Sequence, residues 1–247
     1  MGRRLITHAT PPTWEELDEN IRQEFLQGGE IEKVDYFLNQ ESNTNTFYPK
    51  EQMDAYLAAV KDRKTNYYGI TDYWLYNALD KHSITKKDVA ILGSLQPWYE
   101  AICLSFGGVP YTIEYNKLET DDSRLNLTTV EEYNSSPRSF DAAFSISSFE
   151  HDGLGRYGDP INPNGDMLAM KHTRENVLRP GGLLFLGVPC GKDKLSFNAH
   201  RIYGKKRFYK LIEGYELVDT YPTNFEEMLE IDTGRSAPQP IVVLKVK

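Results

Sequence analysis

DVAILGSLQPWYEAICLSFG, residues 88–107, joins a short unbroken apolar run to an amphipathic pattern through a tight loop. VAILG (89–93) reads as a strand covered on both faces, because no polar residue alternates through it. Residues 97–106 read as a helix, with Pro97 at the first helical position, where its missing N–H needs no partner. A strand feeding a helix sets that helix's unpaired N–H groups at the carboxyl edge of a sheet, where open α/β folds bind ligands. The loop between them has Gly93 but neither G-x-G-x-x-G nor G-x-x-x-x-G-K-[ST]. A dinucleotide and a nucleoside triphosphate are therefore both disfavoured.

Short apolar runs separated by helical patterns continue outward from this unit. Strands are expected at 110–115, 124–129, 140–146, 182–188, 215–221 and 240–246, with helices at 165–178 and 203–212. That alternation predicts an α/β domain over residues 85–247, a mostly parallel seven-stranded sheet with helices on both faces. Residues 1–84 read as a helical extension. Thr13 and Glu16 make a capping-box pattern ahead of Trp14, Leu17, Ile21 and Phe25, and Gly28-Gly29 ends the run. Further helical patterns carry Ile31, Val34, Phe37 and Leu38, then Met53 to Val60, then Trp74 to Leu79, with a polar loop at 39–46. Such short helices are expected to pack over an edge or mouth of the sheet.

With 247 residues and 40% apolar content, one main core is expected. No stretch reaches the roughly 18 apolar residues of a membrane span, and residues 1–12 contain no signal-like apolar region. The chain as given reads as cytoplasmic, while sequons at Asn126 and Asn134 leave a lumenal origin open. Cys103 and Cys190 read as reduced packing residues. A net charge of −8 argues against nucleic acid as a partner. The segment 191–210 is nevertheless basic, with Lys192, Lys194, Arg201, Lys205, Lys206, Arg207 and Lys210 against Asp193 alone. It is either a solvated helix face or a local anion site.

Glu114 ends the second strand, 21 residues after Gly93. An acid at that place in nucleoside-binding α/β folds accepts hydrogen bonds from both ribose hydroxyls. The fourth strand runs into SSFEHDGLGRYGDP (147–160), a polar, glycine-rich loop at the same edge, and LRPGG (178–182) turns a helix end into the fifth strand.

Taken in order, these segments resemble the class I S-adenosylmethionine-dependent methyltransferases over residues 87–247. ILGSLQPWYEAICLSFG, IEYN, SSFEHDGLGRYGDPINPNGD and FNAHRIYG are similar, more specifically, to a family of nematode and bacterial proteins known as a Caenorhabditis-type domain of unknown function. The resemblance implies a Rossmann-like methyltransferase fold that binds S-adenosylmethionine and releases S-adenosylhomocysteine. Cofactor contacts are then expected from Gly93, Ser94, Gln96, Pro97, Trp98, Glu114, Tyr115 and Ser147. GSLQPW departs from the usual glycine-rich loop. Trp98 and Tyr99 either face the sulfonium or pack their helix.

Methyl transfer to an alcohol needs a base within hydrogen-bond reach of the acceptor. His151 is the first candidate, because its imidazole is partly neutral at pH 7, with Asp152 and His200 beside it as catalytic candidates. His200 either reaches the site or caps a helix. Glu150, Arg156, Tyr157, Asp159, Arg201 and Tyr203 are candidates for holding the substrate, Arg201 by pairing with an anionic group. Glu150, His151, Asp152, Asp159, Asp166 and His200 could ligate a divalent metal, but no spacing specifies one and none is assigned.

The expected activity is O-methylation of a small or carbohydrate-type hydroxyl acceptor such as a sugar, sugar phosphate or glycan. No membrane span and no nucleic-acid partner are expected, and a homo-oligomer stays open. A catalytically inactive binding or scaffold protein and a different nucleoside-cofactor enzyme are the rival readings.

Overall fold

Along residues 88–92, side chains alternate between two cores. Val89 and Ile91 face one buried cluster and Ala90 and Leu92 the other, so this strand is covered on both sides. The computed structural model describes residues 11–38 and 47–247. Residues 1–10 and the polar loop expected at 39–46 lie outside the described residues.

In chain order the first elements are α1 (Glu19–Phe25), β1 (Glu32–Tyr36), β2 (Phe47–Tyr48), α2 (Lys50–Lys61), α3 (Ile70–Lys81), β3 (Asp88–Leu92) and α4 (Trp98–Ser105). There follow β4 (Val109–Glu114), β5 (Glu119–Thr120), β6 (Asn126–Thr129), α5 (Val130–Ser135), β7 (Phe140–Ile146), α6 (Gly165–His172) and β8 (Leu178–Gly187). The chain continues with β9 (Lys194–Asn198), β10 (His200–Ile202), α7 (Lys205–Leu211), β11 (Tyr215–Tyr221), α8 (Phe225–Met228) and β12 (Ile241–Val246).

Seven strands form the main sheet in the order β11-β12-β8-β7-β3-β4-β6. Pairing is parallel from β6 to β8, while β12 runs antiparallel to both β8 and β11. β3 sits between β4 and β7, so the chain reverses its direction of winding there and the loops after these three strands share one edge. α2, α3 and α4 cover one face of the sheet. Met170 of α6, Phe208 and Leu211 of α7 and Phe225 of α8 cover the other.

Several expectations are corrected. The first helix begins after Asp18, whose carboxylate caps Asn20 N–H at 2.8 Å, while Thr13 and Glu16 bond to each other in a preceding turn. Residues 32–36 are a strand rather than a helix: β1 pairs in parallel with β9. Five residues are too few for periodicity to decide, and the partner strand supplies the ladder. The Pro-Gly-Gly turn lies inside β8 as an irregularity in its pairing with β7, Gly181 taking φ +77°. The predicted 165–178 helix is α6 followed by a wider turn over Thr173–Val177.

The largest correction concerns the basic segment. It begins not as a solvated helix face but as β9 and β10, which with β1 form a second, three-stranded sheet. Lys194, Arg201 and Arg207 are buried. Lys194 pairs with Asp232, Lys205 with Glu230 and Lys206 with Glu30. A buried cation needs a partner, and the sequence pattern alone did not show where the partners were.

Candidate functional site

The site is built where β3, β4 and β7 end. Gly93 turns the chain out of β3 with φ +77°, and a Cβ there would lie 2.4 Å from Ser148 Oγ, so only glycine lets the loops after β3 and β7 meet. Ser94 N–H then donates to Glu114 Oε2 at 2.9 Å, and Tyr115 N–H donates to Glu114 Oε1 at 2.7 Å. Asn116 N–H is a third donor to this carboxylate. Burial nevertheless raises the Glu114 pKa.

The rest of the first loop is fixed by partners far away in sequence. Ser94 is buried: its carbonyl accepts from Tyr48 Oη at 2.5 Å, and its hydroxyl meets Glu100 Oε2 at 3.2 Å. Glu100, fully buried in α4, also accepts from Thr112 Oγ1 at 2.7 Å, and burial pushes its pKa up to about 7. Gln96 accepts from Tyr56 Oη at 2.6 Å. Pro97 is the residue just before α4. Trp98 Nε1 donates to Asp72 at 3.0 Å, with Tyr99 Oη 3.4 Å from the same carboxylate. Trp98 and Tyr99 are therefore packing residues between α3 and α4.

Beyond β7, Ser147 adopts φ +53° and donates through Oγ to Glu150 Oε1 at 2.7 Å. Gln239 Nε2 donates to the same Oγ at 3.0 Å, and the Tyr68 phenol meets it from the segment between α2 and α3. Glu150 is fully buried, and burial pushes its pKa up to about 7. His151 Nδ1 lies 2.6 Å from the Ala199 carbonyl, which fixes the proton on Nδ1. Its Nε2 is 3.7 Å from Glu150 Oε1. Burial, then the Arg156 charge, pushes the His151 pKa down to about 3. Asp152 moves the other way, to about 8, through burial and then Asp159.

Asp159 itself folds the glycine-rich loop, accepting from the N–H groups of Gly153, Gly155 and Tyr157 at 2.7, 3.1 and 3.2 Å. Arg156 donates to the Ala199 carbonyl at 3.1 Å and lies 4.8 Å from the Tyr157 ring. Arg201 and Tyr203 lie beneath the loop, not in it. Arg201, 1% exposed, donates to the carbonyls of Glu150, Asp152, Asn162 and Pro163. Tyr203 Oη donates to Asp166 at 2.9 Å. His200 Nε2 is 2.9 Å from the Arg235 carbonyl, its ring 6.4 Å from His151.

The structure thus gathers Gly93, Ser94, Glu114, Tyr115, Ser147, Glu150, His151, Asp152, Tyr157 and Asp159 around one edge. Tyr48, Tyr68, Asp72 and Gln239 were not legible in advance, because long-range folding brings them there. Glu100 was legible in part, as a lone charge within the apolar WYEAICLS. Among the described residues, no three His, Cys, Asp or Glu side chains are arranged to hold a metal ion. No described helix is long and apolar enough to cross a membrane.

Residues 86–243 match the model of the family described as Caenorhabditis protein of unknown function, DUF268. The chain belongs to this family. No curated protein matches it. Its structure is similar to that of a 1,6-didemethyltoxoflavin-N1-methyltransferase from Burkholderia thailandensis, solved with 1,6-didemethyltoxoflavin and S-adenosylhomocysteine bound. The TM-score is 0.50 at 14% identity, over 79% of this chain and 86% of that one. A methyltransferase from Pyrococcus furiosus gives a TM-score of 0.45 at 12% identity, over 79% of this chain and 96% of the other. With its strand order and the Burkholderia likeness, the DUF268 chain has the Rossmann-like fold of class I methyltransferases.

The donor set at the edge fits an adenosyl group. A carboxylate offers about four acceptor positions, and three backbone N–H groups contact Glu114. That leaves room for one ribose hydroxyl rather than the two expected from sequence.

Proposed function

We propose that this protein is an S-adenosylmethionine-dependent methyltransferase that O-methylates a small or carbohydrate-type acceptor. The observation that carries the reading is Glu114 at the end of β4, its carboxylate turned to the loop after β3 on a sheet of methyltransferase order. The Burkholderia thailandensis neighbour was solved with S-adenosylhomocysteine bound. Glu114 would hold a ribose hydroxyl, and Gly93 and Ser94 would shape the turn beside it. When bound, the cofactor supplies an activated methyl group on a sulfonium.

The chain's own part is to bind, align and move a proton. Tyr68, Tyr115 and Tyr157 place aromatic rings near an edge that also carries Asp152 and Asp159. Aromatic faces beside carboxylates suit a neutral, hydroxyl-rich molecule. An anionic acceptor is disfavoured, since the cations that were to meet it pair elsewhere: Arg207 with Asp166, Lys205 with Glu230 and Lys206 with Glu30.

The near-saturation of Glu114 by backbone donors favours one second reading, a binding protein that kept the fold without the chemistry. Calorimetric titration with S-adenosylmethionine and S-adenosylhomocysteine decides between them. Micromolar binding that is lost in Glu114→Ala supports the enzyme. No binding of either compound overturns it in favour of the second reading.

A further inference from the structure

Ser147 stands between the open edge and the interior. It is half-buried at the end of β7, and its hydroxyl hydrogen points inward to Glu150 Oε1 at 2.7 Å. Besides Ser147, only its own backbone N–H contacts the Glu150 carboxyl among the described residues, and its Oε2 is buried and unpartnered. A buried carboxyl with one unpaired oxygen is costly to stability, and such groups concentrate where proton chemistry is performed.

The groups facing Glu150 come from several segments. Arg156 from its own loop and Arg201 from β10 favour the ionised form. Asp152 and Tyr157 from the same loop, Tyr68 ahead of α3, and Cys190 and Tyr203 from beyond β8 also face it, and its charge raises the pKa of each of them. Burial outweighs the two arginines, so the carboxyl titrates near neutrality, at about 7.

His151 is badly placed for the same task. Its Nδ1 proton is committed to the Ala199 carbonyl, its Nε2 lone pair lies toward Glu150, and burial holds the ring neutral and weakly basic. An imidazole whose pKa is about 3 is a poor base at physiological pH.

We propose that Glu150 is the proton acceptor for methyl transfer and that the acceptor's proton reaches it through the Ser147 hydroxyl. The proposal rests on the methyl-transfer reading above. The acceptor O–H bond breaks and its proton bonds to Ser147 Oγ, while the former Oγ–H proton bonds to Glu150 Oε1. The electron pair left on the acceptor oxygen forms the bond to the methyl carbon, and the pair of the broken carbon–sulfur bond stays on sulfur. Gln239 Nε2 steadies Ser147 Oγ throughout. Ser147 touches the acceptor; Glu150 acts through it.

The test reads the carboxyl directly and needs no acceptor. Infrared spectra of the whole chain are taken across roughly pH 5 to 9, the range that brackets a carboxyl titrating near neutrality. The expected result is a protonated-carboxyl band, absent from Glu150→Gln, that vanishes with a midpoint near 7. Ser147→Ala removes a hydrogen bond that favours the ionised form and is expected to move this midpoint upward. If Glu150→Gln fails to fold, the Ser147→Ala shift carries the test alone. A Glu150 ionised throughout, or a midpoint indifferent to Ser147→Ala, overturns the proton route. Calorimetry on the same preparation tests the reading beneath it. Failure of wild-type protein to bind S-adenosylmethionine overturns that reading, whereas intact binding with an ionised Glu150 overturns only the route.

Discussion

Glu114 Oε2 accepts the Ser94 main-chain N–H at 2.9 Å, tying the end of β4 to the turn after β3. One carboxylate thus shapes the loop and keeps capacity for a ligand hydroxyl. Glu114→Ala is expected to weaken S-adenosylmethionine binding by roughly 1.5–3 kcal/mol, the worth of hydrogen bonds to a charged group. Glu114→Gln keeps an acceptor oxygen but loses the charge, so its loss should be smaller. Calorimetry that finds the two variants equal to wild type rules out a ribose contact here.

Gly93→Ala combines a left-handed backbone with a Cβ 2.4 Å from Ser148 Oγ. Its expected cost is about 1–3 kcal/mol of stability, the range for strained backbone held in place by its surroundings. Adding Ser148→Gly removes the colliding atoms and should restore part of the loss. Denaturant melts of the single and double variants check this, and strict additivity would show that the two loops do not touch.

Asp166 is fully buried and accepts from Arg207 Nη2 at 2.7 and 2.8 Å, from its Nε at 3.2 Å and from Tyr203 Oη at 2.9 Å. Asp166→Ala leaves the Arg207 charge buried without its partner, so a loss of about 3–5 kcal/mol is expected. Arg201, 3.7 Å from the same carboxylate, holds the loop that carries His151, so cofactor affinity should fall with stability. A change below about 1 kcal/mol in urea melts would place this pair among weak surface bridges.

Stability should fall as pH rises from 6 to 8. Burial raises Glu100 and Glu150 from 4.5 to about 7 and Asp152 from 3.8 to about 8. Below the unfolded values both states hold these protons and the stabilisation is fully present; it is lost as pH climbs through the folded values. His151 acts oppositely: lowered from 6.5 to about 3, it disfavours the folded state as pH drops below 6.5. His200, lowered by burial as well, acts with His151, and the three carboxyls outweigh the two imidazoles above pH 6.5, at on the order of 1 kcal/mol per pH unit for each proton difference. Thermal melts at pH 6 and 8 measure the sign. A higher melting temperature at pH 8 would mean that these carboxyls are ionised in the folded protein.

The central strands β3, β7, β8 and β12 were legible because each carries a compact apolar run bounded by turn residues. Burial on both faces leaves that mark whatever the partners are. Glu114 was legible from its distance to Gly93, since a β-α-β unit sets that spacing locally. β1, β9 and β10 were not. Strands of three to five residues carry too little periodicity, and Arg201 and Arg207 are buried only because Asp166 and four carbonyls meet them.

The sequence by itself determined the α/β fold, the edge where a ligand would sit and the candidate acid at the end of β4. All of these follow from local patterning and the geometry of strand-to-helix turns. Tertiary structure alone decided what each polar group does there. It turned Trp98 toward Asp72, closed Gly93 on Ser148, placed Arg201 beneath the loop and set Ser147 over Glu150. The physical reason is that a buried polar group is defined by its partner, and these partners come from segments tens of residues away or from the turn of a loop.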